Sequence, residues 1–358
     1  MSFEEDIIGF TQLIQQNPSN EELYFYRGLA YWNIRQCEPA IQDFDKAIKF
    51  YPHYFEAYYN RGCAYLALKQ YEQAIQDFDR AIEINSDDAD CYYNRGNSYL
   101  GLKQYEQAIK DFDRAIEINL PDADYYYVRG NSYLGLKQYE QAIKDFDKAV
   151  ALNPNYTDAY NNRGNAYHFL KEDERAIADY DKAIELNPND DAAYYNRGIA
   201  CYNLGQKELA IQDYDKAIAL NPNNTCAYYD RGNSYADSGQ HELAIKYYDK
   251  AVALNPNYTD AYYNRGNAYQ SLGQYELAIQ NYNKVIELNP NYSVAYFNRG
   301  ITYRKLHNHK QALVDFDRYI KFVPNDYDGW RMRGECYQML GDEEKAQADL
   351  KKAKELGL

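Results

Sequence analysis

An all-α fold, built as a tandem array of antiparallel helix pairs, is the class this sequence predicts, and three observations predict it. Arg-Gly recurs at 27–28, 61–62, 95–96, 129–130, 163–164, 197–198, 231–232, 265–266, 299–300 and 333–334, always 34 residues apart, with no insertion or deletion. Within each period the apolar positions fall into two sets, each with the spacing of one helix face. Residues that end helices stand between the sets and between the periods. A period of this length means a repeat architecture, in which a unit can bury its faces only against its neighbours.

Numbering each unit 1 to 34 from Glu21, Phe55, Ala89, Ala123, Thr157, Asp191, Thr225, Thr259, Ser293 and Tyr327 gives ten units, the last one two residues short. The residues before them also belong. FEEDIIGFTQLIQQNPSN aligns with the second helix of a unit and puts Ile7 at position 21, Phe10 at 24, Leu13 at 27 and Pro18 at 32. It reads as a half repeat that covers the first full unit, because the end of a stack needs a cap. The expected organisation is therefore a capping half repeat over 1–20 and ten tandem repeats over 21–358, without separate domains.

The first helix of each unit, helix A, carries Tyr or Trp330 at position 4, Gly at 8, and Tyr (once Cys201) at 11. These positions share one face at i, i+4, i+7. A short connection follows, such as Leu272-Gly273-Gln274-Tyr275. Gly205, Gly239, Gly273 and Gly341 suit the left-handed residue that ends a helix, whereas Lys69, Lys103 and Lys137 hold the same place, so Gly is favoured and not required. Helix B presents positions 20, 21, 24, 27 and 28. Position 20 is Ala throughout, 24 is Phe or Tyr until Leu350, and 27 is Ala except Val285 and Tyr319. Gly at 8 and Ala at 20 let the two helices approach closely. Asn-Pro-Asn at 153–155, 221–223, 255–257 and 289–291 ends helix B, since Pro cannot continue it and disfavours helix in the residue before. Position 32 is Pro apart from Ser86, Leu120 and Leu358. In the last helix, Lys351, Lys352 and Lys354 are expected to keep the far end soluble.

This constellation resembles the tetratricopeptide repeat family, whose 34-residue helix–turn–helix units carry a large aromatic, Gly, Tyr, Ala, aromatic, Ala and Pro at these places. The resemblance covers residues 21–358 and implies a solenoid of about 21 antiparallel helices wound into a right-handed α-α superhelix. One departure is systematic: the family often has Leu at position 7, and this chain has Arg in all ten units.

Composition narrows the function. Lys and Arg number 39 against 54 Asp and Glu, a net charge of −15. Nucleic acid and anionic membrane surfaces, which need clustered cations, are therefore poor partners. No apolar run approaches the ~18 residues of a membrane span, and MSFEEDIIGF has acids where a secretion signal has cations. The six cysteines form no CxxC and no regular spacing. They read as substitutes for packing residues, which fits a reducing, cytoplasmic setting. His307 and His309 are two apart and share no helix face, and the other histidines have no metal-ligand spacing. There is no P-loop and no GxSxG. No catalytic residue, cofactor or metal is expected. The acidic pairs at positions 23 and 25, such as Asp77 and Asp79, point in different directions and read as a salt-bridged or solvated face. Asn-Tyr-Thr at 155–157 and 257–259 and Asn-Tyr-Ser at 291–293 read as turns, where Asn is favoured, before they read as glycosylation acceptors.

The remaining face of helix A, positions 2, 5, 6, 9, 12 and 13, is the one the resemblance assigns to a concave partner-binding groove. The candidates are Tyr59, Tyr93, Tyr127, Tyr195, Tyr229 and Tyr263 at position 5, Asn60, Asn94, Asn162, Asn196, Asn264 and Asn298 at position 6, and Asn97, Asn131, Asn165, Asn233 and Asn267 at position 9. An Asn offers a donor and an acceptor, as a peptide bond does, so a row of them can grip the main chain of an extended peptide. Tyr adds rigid contact area. Acids at position 2, among them Glu22, Glu56, Asp90, Asp124, Asp158, Asp260 and Asp328, bias the choice toward neutral to basic peptides. Alternatively these Asn bond only within the array. Some members of the family clamp chaperone C-terminal carboxylates with Lys at positions 2 and 5; the acids and aromatic rings here argue against that use. The expected function is a non-enzymatic scaffold or adaptor for protein or peptide partners, or else the substrate-recognition arm of a larger enzyme or assembly, such as a glycosyltransferase. The Arg at position 7 lies off the groove face and is expected to bond to the Asp at position 23, or to helix C-terminal carbonyls.

Overall fold

The computed structural model describes residues 2–119 and 121–357, so the exceptions Leu120 and Leu358 at position 32 lie outside the described residues. Among the described residues there are 21 α-helices and no strand, the all-α repeat fold that the period predicts. They form two compact units. In residues 1–188, the capping helix Phe3–Gln16 is followed by A helices Glu21–Asn33, Phe55–Ala67, Ala89–Gly101, Ala123–Gly135 and Thr157–Phe169. These alternate with B helices Cys37–Phe50, Tyr71–Ile84, Tyr105–Ile118, Tyr139–Leu152 and Asp173–Leu186. In residues 189–358 the A helices are Asp191–Asn203, Thr225–Asp237, Thr259–Ser271, Ser293–Lys305 and Tyr327–Met339. The B helices there are Lys207–Leu220, His241–Leu254, Tyr275–Leu288, His309–Phe322 and Glu343–Leu356. Within each unit a helix packs on its neighbours in sequence, and each A helix also touches the next A helix.

The capping helix starts with a reciprocal cap, in which Ser2 Oγ accepts from Glu5 N–H and Glu5 accepts from Ser2 N–H. Leu13, expected in the core, is 45% exposed, and its neighbour Ile14 is the buried residue. Among the described residues this helix packs on the first A helix alone, and only the face that meets it is covered.

The A-to-B connections close as the Gly/Lys alternation predicts. In the third repeat Lys103 N–H donates to Leu100 C=O (2.9 Å) and Gln104 N–H to Tyr99 C=O (2.8 Å), the paired bonds of a Schellman end. Lys103 has φ +59° there and Gly273, its counterpart, +72°. A lysine pays a steric cost in that left-handed conformation that glycine does not. Lys103→Gly is therefore expected to raise stability by roughly 0.5–1 kcal/mol, seen as a higher midpoint in urea; a lower midpoint would show that the conformation is not the one described.

The core of helix A differs from the expected one. Its fully buried positions are small: position 3 (Ala57, Cys91, Ala159, Ala193), Gly at 8, and position 10 (Ala64, Ser98, Ser132, Ala166). The tyrosines at 4 and 11, expected inside, are mostly half-buried. The reason is the aromatic ring at position 24, which is fully buried (Phe112, Phe146, Tyr248) and lies on the glycine of position 8. Gly at 8 thus accommodates a ring more than a backbone. Among the cysteines, Cys91, Cys201 and Cys336 are buried as packing substitutes, but Cys226 is exposed.

The recurrent arginine has two partners. Arg95 donates from Nε and Nη2 to both oxygens of Asp111 (2.8 and 2.6 Å) and from Nη1 to Asp79 (2.6 Å). Asp111 is position 23 of its own repeat, as expected; Asp79 is position 25 of the preceding repeat, which was not foreseen. Arg61, Arg129 and Arg163 repeat this arrangement, and Arg333 does so in the second unit. Arg27 makes the same reach to position 25 of the half repeat, where Thr11 supplies a hydroxyl oxygen instead of a carboxylate (3.0 Å). The position-4 tyrosine lies under the guanidinium, with Arg95 Cζ 5.4 Å from the Tyr92 ring centre. Burial pulls the Arg95 guanidinium down, but the bonds to Asp111 and Asp79 outweigh it and hold the group above its ordinary range. Arg231 departs from the pattern. Position 23 is Tyr247 there, and the guanidinium stacks 4.1 Å from its ring centre; Nε is buried without a hydrogen bond, and only Asp215 supplies a carboxylate.

Candidate functional site

Every candidate groove residue is half-buried, on A helices that place positions 5, 6 and 9 one turn apart along one face. The position-5 rings lean on the core. Tyr127 packs on Phe146 (centroids 6.1 Å) and Tyr156 (4.8 Å), and Tyr229 packs likewise on Tyr248 (6.0 Å) and Tyr258 (4.9 Å). Their hydroxyls stay on the A-helix face.

The asparagines join successive repeats. Asn162 Nδ2 donates to Tyr127 Oη (3.2 Å) and to Asn131 Oδ1 (2.8 Å) of the preceding repeat. Asn264 does the same with Tyr229 (2.9 Å) and Asn233 (3.0 Å), and Asn298 with Tyr263 (2.8 Å) and Asn267 (3.1 Å). Asn94 reaches Tyr59 (3.2 Å) and its own Asp90 carbonyl (2.9 Å). Asn60 turns back to the Glu56 carbonyl (2.7 Å), because the residue it would meet, Phe25, has no hydroxyl. Tyr195 donates instead to Asp230, which replaces Asn at position 6 (2.8 Å). Burial pushes the Asp230 carboxyl above the usual carboxylate range, and bonds from Tyr195 and Asn233 oppose that. In repeats with Tyr at position 24, that hydroxyl adds a further bond, from Tyr180 to Asn165, Tyr248 to Asn233 and Tyr282 to Asn267, each 2.8 Å.

These contacts leave a definite residue of unused groups. Asn162, Asn264 and Asn298 each direct Nδ2 to two acceptors, which occupies both N–H bonds, while Oδ1 remains an acceptor. The position-2 acids are partly engaged: Asp124 accepts from Tyr156 (2.7 Å) and Asp260 from Tyr292 (3.0 Å). The sequence reading missed this tyrosine, which precedes helix A of the next repeat.

A cavity of about 340 Å³ opens on this face in the second unit, lined by Asn233, Asn264 and Asn267 together with Ala236, Asp237 and His241. It was not legible as a motif, although its signal is a gap in a column: position 12 is Trp32, Leu66, Leu100, Leu134, His168, Tyr202, Gln270, Arg304 and Gln338 elsewhere, and Ala at 236. No helix among the described residues is long and apolar enough to cross a membrane.

Models of the tetratricopeptide repeat match residues 22–54, 55–88, 89–119, 157–190, 192–224, 213–246, 259–292, 281–314 and 327–356, and a TPR repeat model matches 130–171 and 232–273. No curated protein matches the chain. Among solved structures, the C-terminal part of a TPR repeat-containing protein from Cytophaga hutchinsonii is similar at 20% identity and a TM-score of 0.56, over 66% of this chain and 97% of that one. Cut9 with Hcn1 of the APC/C is similar at 15% identity and 0.52, over 88% and 76%. YrrB, described as a TPR protein with an unusual peptide-binding site, is similar at 27% identity and 0.46, over 52% and 97%. The first two show the shared fold.

Proposed function

We propose that this chain, which belongs to the tetratricopeptide repeat family, is a non-enzymatic scaffold that holds extended segments of partner proteins on the exposed face of its A helices. One observation carries the reading. The asparagines are held in fixed orientations by neighbours on the preceding repeat, and each bridging Asn keeps its carbonyl unused. A rigid row of acceptors at the repeat spacing suits the N–H groups of an extended main chain and is indifferent to side chains. Preorganisation of this kind lowers the ordering cost of binding. The same bonds also tie the array together, so the asparagines act in both roles that the sequence leaves open.

The test separates the two roles. Wild type and a variant with Asn94, Asn162 and Asn264 all changed to Ala are compared in an affinity pull-down and by thermal melting. Each Asn–backbone bond contributes about 0.5–1.5 kcal/mol, so captured partners should bind the folded variant about ten-fold or more weakly. Unchanged capture together with a lower melting temperature would leave the asparagines with a structural role only and would overturn the reading.

A further inference from the structure

The cavity beside Ala236 differs from the rest of the A-helix face in its depth and in Asp237 at its rim, the one acid at position 13 of any repeat. Asn264 has both N–H bonds occupied, by Tyr229 Oη and Asn233 Oδ1, so it offers the cavity only Oδ1. Asn233 Oδ1 already accepts from Asn264 and from Tyr248 (2.8 Å), and its Nδ2 is turned to Asp230 (3.4 Å). Asp237 stands at the rim with one carboxylate oxygen on the Tyr202 hydroxyl and the other unoccupied. Ser271 adds a hydroxyl. Asn267 is the reverse of Asn264: its Oδ1 accepts from Tyr282 and Asn298, so the acceptors left to the cavity are Asn264 Oδ1 and the open oxygen of Asp237. The charged or titratable groups near it are Asp237, Asp230 behind Asn233, His241, and Lys207, whose ammonium lies 3.3 Å from the Asp237 carbonyl oxygen. Of these, Asp237 and His241 line the cavity itself. The rings of Tyr202, Tyr248 and His241 supply flat walls, and Ala236 and Ala268 leave the depth.

We infer that this cavity takes an arginine side chain of a peptide lying along the A-helix face. The guanidinium matches it on three counts. Its planar fork of N–H donors can bridge Asn264 Oδ1 and the open oxygen of Asp237. Its charge meets Asp237. Its flat faces suit aromatic walls. The volume, at the small end of the ~300–1,000 Å³ typical of ligand clefts, has room for one side chain. The specificity thus lies in the second unit, at one repeat, while the asparagine row reads no side chain. This inference rests on the peptide-scaffold reading.

Two probes distinguish its failure from the failure of that reading. The first is N-acetyl-arginine methylamide, followed by the side-chain NMR signals of His241, with the neutral isostere N-acetyl-citrulline methylamide as comparison. Arginine should shift the His241 signals and citrulline should shift them at least ten-fold less at equal concentration. Asp237→Asn should weaken the response, and Ala236→Leu, which restores the residue of Leu66, Leu100 and Leu134, should abolish it in a folded protein. Equal shifts from both probes, or a response that survives Ala236→Leu, would overturn the inference. The second probe is a fluorescent ten-residue Ala/Ser peptide with one central Arg, read by anisotropy. Binding no tighter than its citrulline counterpart overturns the arginine site alone. Binding no tighter than the single-residue probe, and unaffected by Asn298→Ala outside the cavity, overturns the scaffold reading while leaving an arginine site.

Discussion

Arg129→Met should destabilise the first unit by about 3–5 kcal/mol, because it strands a buried carboxylate without its counter-charge. Arg129 donates to both oxygens of Asp145 at 2.7 Å, and the Asp145 side chain is only 4% exposed. The pair as a whole need not stabilise much, since taking both charges out of water offsets most of their attraction. The double variant Arg129→Met/Asp145→Leu should accordingly recover most of the loss. Asp113, the other partner of Arg129, is 47% exposed, so Asp113→Ala should cost only ~0–1 kcal/mol. Arrays of repeats unfold in parts, so the measurement is native-state hydrogen exchange of the helices Ala123–Gly135 and Tyr139–Leu152 beside urea unfolding. If the single and double variants lose equal stability, the stranded carboxylate is not the cause and this account of position 7 fails.

Gly130→Val is the second large effect. A Cβ added at Gly130 would lie 2.7 Å from Phe146 Cε1 and 2.9 Å from Cδ1, closer than real side chains approach. Phe146 is fully buried between helices and has no space to withdraw. Overpacking of this kind costs ~1–3 kcal/mol, occasionally more, and valine adds branching to the clash. Gly9→Ala in the capping helix is the control. Nothing lies within 4 Å of a Cβ there, and replacing a helical glycine should gain roughly 0.5–1 kcal/mol. Thermal melts of both variants give the comparison. A Gly130→Val protein as stable as wild type would mean that the ring does not pack on position 8.

The legible part of the fold was whatever depends on local spacing. The 34-residue period, the two helices in each unit, the tolerance of Lys103 where Gly273 stands, and the bond from Arg95 to Asp111 can all be read within one unit. Side-chain size misled the reading of helix A. Tyr at 4 and 11 looks like core, but the ring at 24 fills the space over Gly at 8, and only small residues such as Ala57 and Ala64 fit beneath. The contacts between units were harder to see. Asp77 and Asp79 do point apart, yet each meets an arginine: Asp77 meets Arg61 of its own repeat and Asp79 meets Arg95 of the next. The bridge from Asn162 to Tyr127 spans 35 residues and depends on how two A helices stack, which no periodicity states. The asparagine columns were visible in the sequence; their anchoring was not, and neither was the cavity left by Ala236.

The arginine contacts also constrain how such a chain can change length in evolution. Arg95 reaches forward 16 residues to Asp111 and back 16 to Asp79, and Arg129 makes the same reach to Asp145 and Asp113. Duplicating or deleting one whole 34-residue segment within such a run hands every guanidinium an identical pair of carboxylates. An insertion of any other length inside a helix, between Arg95 and one of its carboxylates, breaks that reach and strands charge. The run RGNSYLGLKQYEQAIKDFD, present unchanged at 95–113 and 129–147, is what recent copying of a whole segment would leave behind. The ladder thus makes the gene free to grow by complete modules and penalises every other step.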